Sequence, residues 1–164
     1  MTRAWMGLAS MALIAGCSGA VATTCPSKTV GESPYGACFD RIHVHAYRGG
    51  AFNPPPPQGS TCSDPGSTYD MALATGEETY DACTDPGGQL PFQRTQGVRT
   101  LSSAARSGVV AALKGVRVLA SNNCANDGPV ANLTVTAQGV DTVYGCYGTP
   151  VDGIAGVVTS LEAQ

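Results

Sequence analysis

His43 and His45 are the only histidines of the chain. They stand two apart in a stretch, Phe39 to Tyr47, in which Ile42, Val44 and Ala46 alternate with polar neighbours. On a strand that spacing places both imidazoles on the polar face, where they could share a metal ion with Asp40 or with a carboxylate brought from elsewhere. The chemistry implied is metal-dependent hydrolysis. Two ligands fall short of the three or four that zinc takes from a protein, and no HExxH, CxxC or EF-hand spacing supplies the others. Ordinary exposed histidines are the competing reading and the favoured one.

Other groups with chemical potential are equally unsupported by pattern. Asp64, Asp70, Asp81 and Asp85 could supply oxygens to calcium, yet their spacing matches no calcium loop. Asp64-Pro65-Gly66 and Asp85-Pro86-Gly87 each follow a cysteine closely, and both read as tight turns. Ser102, Ser103 and Ser107 lie on an expected helix without a neighbouring base or an oxyanion motif, which leaves no nucleophile to assign. Pro54 to Pro57 forms a stiff extended loop and a possible binding edge. Asn132-Leu133-Thr134 is a three-residue sequon, short enough to arise by chance. No catalytic residue and no cofactor is assigned.

Seven cysteines are an odd number for an oxidised protein. The first of them, Cys17, closes a short apolar stretch that begins after Arg3 and ends Leu13-Ile14-Ala15-Gly16-Cys17. A basic start, an apolar core and small residues at the boundary make an export leader, too short to cross a bilayer as a helix. The tetrad Ile14-Ala15-Gly16-Cys17 resembles the lipobox of bacterial lipoproteins. The resemblance covers only the leader, and it implies removal of residues 1–16, a lipid on the Cys17 sulfur and acylation of the new amino terminus. Ser18 beside it is compatible with transfer to the outer membrane of a two-membrane bacterium. No family is recognised for the rest of the chain.

With Cys17 assigned to lipid, six cysteines remain: Cys25, Cys38, Cys62, Cys83, Cys124 and Cys146. An even set outside the cytoplasm suits disulfides, and six allow fifteen pairings. Pairing of sequence neighbours, Cys25–Cys38, Cys62–Cys83 and Cys124–Cys146, closes the shortest loops and is the expectation. CxxC spacing is absent, so a redox enzyme is disfavoured. Removal of Arg3 leaves eight basic side chains against twelve acidic ones, with no basic cluster to engage phosphates, which argues against nucleic acid.

The elements that must position these residues follow from periodicity. Residues 17–34 read as the lipidated terminus and a short tether, and residues 35–164 as one disulfide-stabilised domain. Phe39 to Tyr47 is a strand. Tyr69 to Leu73 and Thr79 to Cys83 form a hairpin closed near its base by Cys62 and Cys83, and Leu90 and Phe92 mark a short strand that Pro91 demotes to an edge or an irregular segment. Thr100 to Lys114 is the main helix, its stripe made by Leu101, Ala105, Val109 and Leu113. Val116 to Ala120 is a strand, 121–129 a long polar turn, and Leu133 to Tyr147 a second hairpin. Val151 to Gln164 holds a short terminal helix.

The expected class is α+β: a small disulfide-linked domain with an antiparallel sheet, one main helix and a short C-terminal helix, the alternative being an all-β sandwich with long loops. The function expected is a lipid-anchored binding or structural protein of the cell envelope. Its partners would be the membrane, through Cys17, and an envelope protein or glycan. The alternative is an extracytoplasmic metal-dependent hydrolase using His43 and His45.

Overall fold

A computed structural model describes residues 25–47, 55–63, 65–121, 124 and 130–164. The leader with Cys17, Asp64, Pro54 and most of the polar turn at 121–129 lie outside the described residues. Ten elements follow in order: β1 (Phe39–Tyr47), β2 (Gly66–Ala72), β3 (Glu77–Thr84), β4 (Gln93–Thr100), α1 (Ser103–Gly115), β5 (Arg117–Val118), β6 (Val130–Ala137), β7 (Val140–Gly145), β8 (Val151–Asp152) and α2 (Ile154–Glu162). The fold is α+β.

Six strands make one antiparallel sheet in the order β4-β3-β2-β1-β6-β7. Alternation decides its two faces. Ile42 and Val44 of β1 stand beside Met71 and Tyr69 of β2 and beside Val135 and Leu133 of β6, all buried. Val109 and Leu113 of α1 and Val157 and Leu161 of α2 complete this core, and the two helices pack on one another. Helices thus cover one face. Arg41, His43 and His45 project from the other.

Local chemistry sets the helix ends. The Ser102 hydroxyl accepts from the Ala105 N–H at 3.1 Å, capping α1, and Lys114 sits in its last turn, where a cation favours the dipole. The helix begins three residues later than its apolar stripe suggests, because Thr100 is the last residue of β4 and the Leu101 N–H donates to Gly76 O at 2.9 Å. Gly115 is its final residue, and Val116 turns extended. The terminal helix starts at Ile154, since Val151 and Asp152 first pair with Val118 and Arg117 in a small second ladder.

Strand β4 is the main departure from the expected elements. Its sequence, Gln-Arg-Thr-Gln-Gly-Val-Arg-Thr, lacks apolar alternation because it is an edge strand, mostly exposed. Side chains from β3 stabilise it instead. Tyr80 stands opposite Gly97, whose missing Cβ would meet the tyrosine hydroxyl at 3.1 Å, and the Arg99 guanidinium lies 4.7 Å from the same ring centroid. Ser60 and Thr61 cover the start of its free edge, accepting from the N–H groups of Phe92 and Arg94 at 2.9 and 2.8 Å.

Three disulfides join Cys25–Cys38, Cys62–Cys83 and Cys124–Cys146. The second lies at the base of the β2–β3 hairpin, where Gly66 pairs with Cys83. The first lies in a stretch, residues 25–34, that is bonded to the rest of the fold. The Gly31 N–H donates to Val118 O at 2.8 Å, the Val118 N–H to Glu32 O at 2.9 Å, and the Ser33 hydroxyl to Leu113 O at 3.1 Å. Tyr144, buried on β7, donates its hydroxyl to Ser27 O at 3.1 Å. This strap leaves no more than the residues before Cys25 to act as a tether.

Candidate functional site

The outer face of the sheet is the candidate site. Strand register arranges its side chains in rows, each running across neighbouring strands. One row reads Thr79, Asp70, His43, Thr134 and Val143; the next reads Asp81, Thr68, His45 and Asn132. Both histidines lie on this face and both are exposed.

The carboxylate beside His43 is Asp70, not Asp40. His43 Nδ1 lies 3.6 Å from Asp70 Oδ2, and the same carboxylate forms an ion pair with Arg41. Asp40 is diverted by a bulge between Phe39 and Arg41, which keeps Phe39 in the core and points Asp40 at the second hairpin. There Asp40 Oδ2 accepts from the Gln138 N–H at 2.7 Å, bracing a turn whose two residues, Gln138 and Gly139, both have positive φ. The signal for Asp70 was the hairpin's register with β1, which no local pattern in the sequence states.

Among the described residues no group of three His, Cys, Asp or Glu side chains converges as a metal site. Asp70 is held by Arg41, so the row offers an imidazole and a neutralised carboxylate rather than an open ligand set. The metal-dependent hydrolase therefore lacks its metal centre among these residues. The other acidic candidates among the described residues are also occupied: Asp81 accepts from Arg94 Nε at 2.9 Å, and Asp85 Oδ1 accepts from the Gly87 N–H at 2.8 Å within its turn. The fork from Arg94 holds the Asp81 carboxyl below its ordinary value. The serines are structural, Ser102 as a cap and Ser107 through a bond to Ser103 O at 2.8 Å.

An open cleft of about 460 Å³ lies at one end of this face. His45, Tyr47, Thr68, Asp81 and Arg94 line it, together with the Cys62–Cys83 bridge. Its charges cancel within the Asp81–Arg94 pair, and hydroxyl, imidazole and phenol groups line the rest. Such a surface can exchange hydrogen bonds with a polar partner. A second cleft, of about 510 Å³, lies between Pro55 and Pro57 of the proline loop and the turn at Asp85 to Gln89.

No protein-family model matches the chain, and no curated protein or solved structure matches it.

Proposed function

We propose that this chain is a lipid-anchored protein of the cell envelope, held through acyl groups on Cys17 at the outer membrane of a two-membrane bacterium, which binds a partner through the outer face of its sheet. The observation that carries the binding role is the polar face itself, which no element covers among the described residues. All six strands contribute to the His43 row, with Val98 of β4 opposite Thr79, and the helices pack on the opposite side. A face of that extent, ending in a cleft and holding a paired imidazole, suits recognition of a protein or glycan by hydrogen bonding. The leader supports the anchor, and the three disulfides suit an oxidising compartment.

Crosslinking in intact envelopes followed by purification of the full chain tests the reading. A reproducible protein or glycan partner is expected, and its recovery should fall for His45→Ala combined with Thr68→Ala, both in the outer face. Turnover of a substrate without any retained partner would overturn the binding role. Loss of that turnover in His43→Ala would return the histidines to catalysis.

A further inference from the structure

The strap of residues 25–35 carries an orientation as well as a staple. Cys25 and Cys38 pack against the core, on the side of the sheet opposite His43 and His45. Eight peptide steps separate Cys17 from Cys25, a reach of no more than about 30 Å even when fully extended. A lipid on Cys17 would therefore hold the strap close to the bilayer. The composition of the strap and of what touches it fits that position. The chain has two lysines, Lys28 and Lys114. The first lies on the strap and is exposed; the second places its Nζ 5.7 Å from the Tyr35 ring centroid. Arg117 is exposed beside Val118, the residue that bonds the strap. Val30, at its outermost turn, is 59 % exposed. Among the described residues, Glu32 and Asp152 are the carboxylates of this end, and each has a local bond, to the Ser27 hydroxyl and the Gly153 N–H respectively. Three cations against two carboxylates in a chain of net negative charge favour an anionic surface.

We infer that the strap, with Lys114 and Arg117, is the bilayer-facing end of the domain: Val30 enters the headgroup layer, the lysines meet lipid phosphates, and the outer face of the sheet points away from the membrane. This inference rests on the lipid anchor at Cys17. It gives the binding face its direction, toward partners in the aqueous compartment rather than toward lipid.

The only tryptophan, Trp5, lies in the leader, so the mature protein offers a background free of tryptophan. Val30→Trp and Val98→Trp each add a single reporter, the first on the strap and the second on the outer face. Acylated mature protein, residues 17–164, is reconstituted into vesicles of phosphatidylethanolamine and phosphatidylglycerol containing lipid brominated near the headgroup. Quenching roughly twofold or more greater for Val30→Trp than for Val98→Trp, with a blue-shifted emission, is expected. Lys28→Glu with Lys114→Glu, added to Val30→Trp, should lower its quenching while flotation with the vesicles persists. Equal quenching at the two positions, or stronger quenching of Val98→Trp, in protein that floats with the vesicles overturns the orientation and leaves the anchor standing. Protein that fails to float, with an unmodified Cys17 peptide by mass, overturns the anchor and the orientation with it.

Discussion

Glu78 of β3 is fully buried and forms an ion pair with Arg99, its direct cross-strand partner on β4. Arg99 then donates to Leu161 O at 2.9 Å and to Gln164 O at 2.8 Å, tying the exposed edge of the sheet to the end of the last helix. One guanidinium thus serves three elements. The second Glu78 oxygen, Oε1, has no partner among the described residues, so the arginine carries most of the compensation for burying this charge.

Arg99→Ala should destabilise the domain by about 3 to 5 kcal/mol, because it strands a buried carboxylate. Glu78→Gln should cost less, about 1 to 3 kcal/mol, since a neutral amide needs less compensation and can still accept from Arg99. Urea unfolding of the two variants checks the order. An Arg99→Ala cost within about 0.5 kcal/mol of zero would show that the pair behaves as a surface ion pair does.

Burial of Tyr144 pushes its phenol up to about 12 from an ordinary value of 10.0. A raised folded-state value means that the folded protein retains the phenol proton while the unfolded chain loses it. The associated stability is complete below pH 10 and is lost between about pH 10 and 12, at roughly 1.4 kcal/mol per unit. Tyr144→Phe should be less stable than the parent at pH 8 by about 1 kcal/mol, through loss of the bond to Ser27 O. The gap should close and then reverse as pH rises above 10. Brief urea titrations at successive pH values, with disulfides intact, read this crossing; parallel curves for the two proteins would place Tyr144 in a wetter setting.

Much of the sheet is legible from periodicity. The strand Phe39 to Tyr47 is bounded by its own alternation, and the hairpin over Leu133 to Tyr147 by the turn residue Gly139. The pairing of neighbouring cysteines follows from short loops. Strand β4 is not legible, because an edge that faces water needs no apolar period, and its support comes from Tyr80 and Ser60, distant in sequence. The strap is hidden for a related reason. Small polar residues usually mark a linker, yet backbone bonds from Gly31 and Glu32 make this stretch part of the fold. At the candidate site, the sequence places His43 and His45 on one face but cannot supply Asp70, whose proximity depends on the register between β1 and β2. A bulge at Asp40 removes the carboxylate that lies nearest along the chain.

The cluster of Arg41, Asp70 and His43 should matter to binding more than to stability. All three side chains are partly exposed, and ion pairs in that setting contribute about 0 to 1 kcal/mol. Asp70→Asn removes the charge while keeping the shape, releasing Arg41 and altering the polar surface at its centre. Unfolding in urea should change by less than about 1 kcal/mol. Partner recovery from crosslinked envelopes should drop in the same variant, whereas Ser103→Ala, exposed on α1 across the sheet from this face, should leave both unchanged. Full recovery with Asp70→Asn would move the recognition surface away from this cluster, toward the cleft at His45 and Arg94. Loss of stability by several kcal/mol would instead make the cluster a structural clamp between β1 and β2.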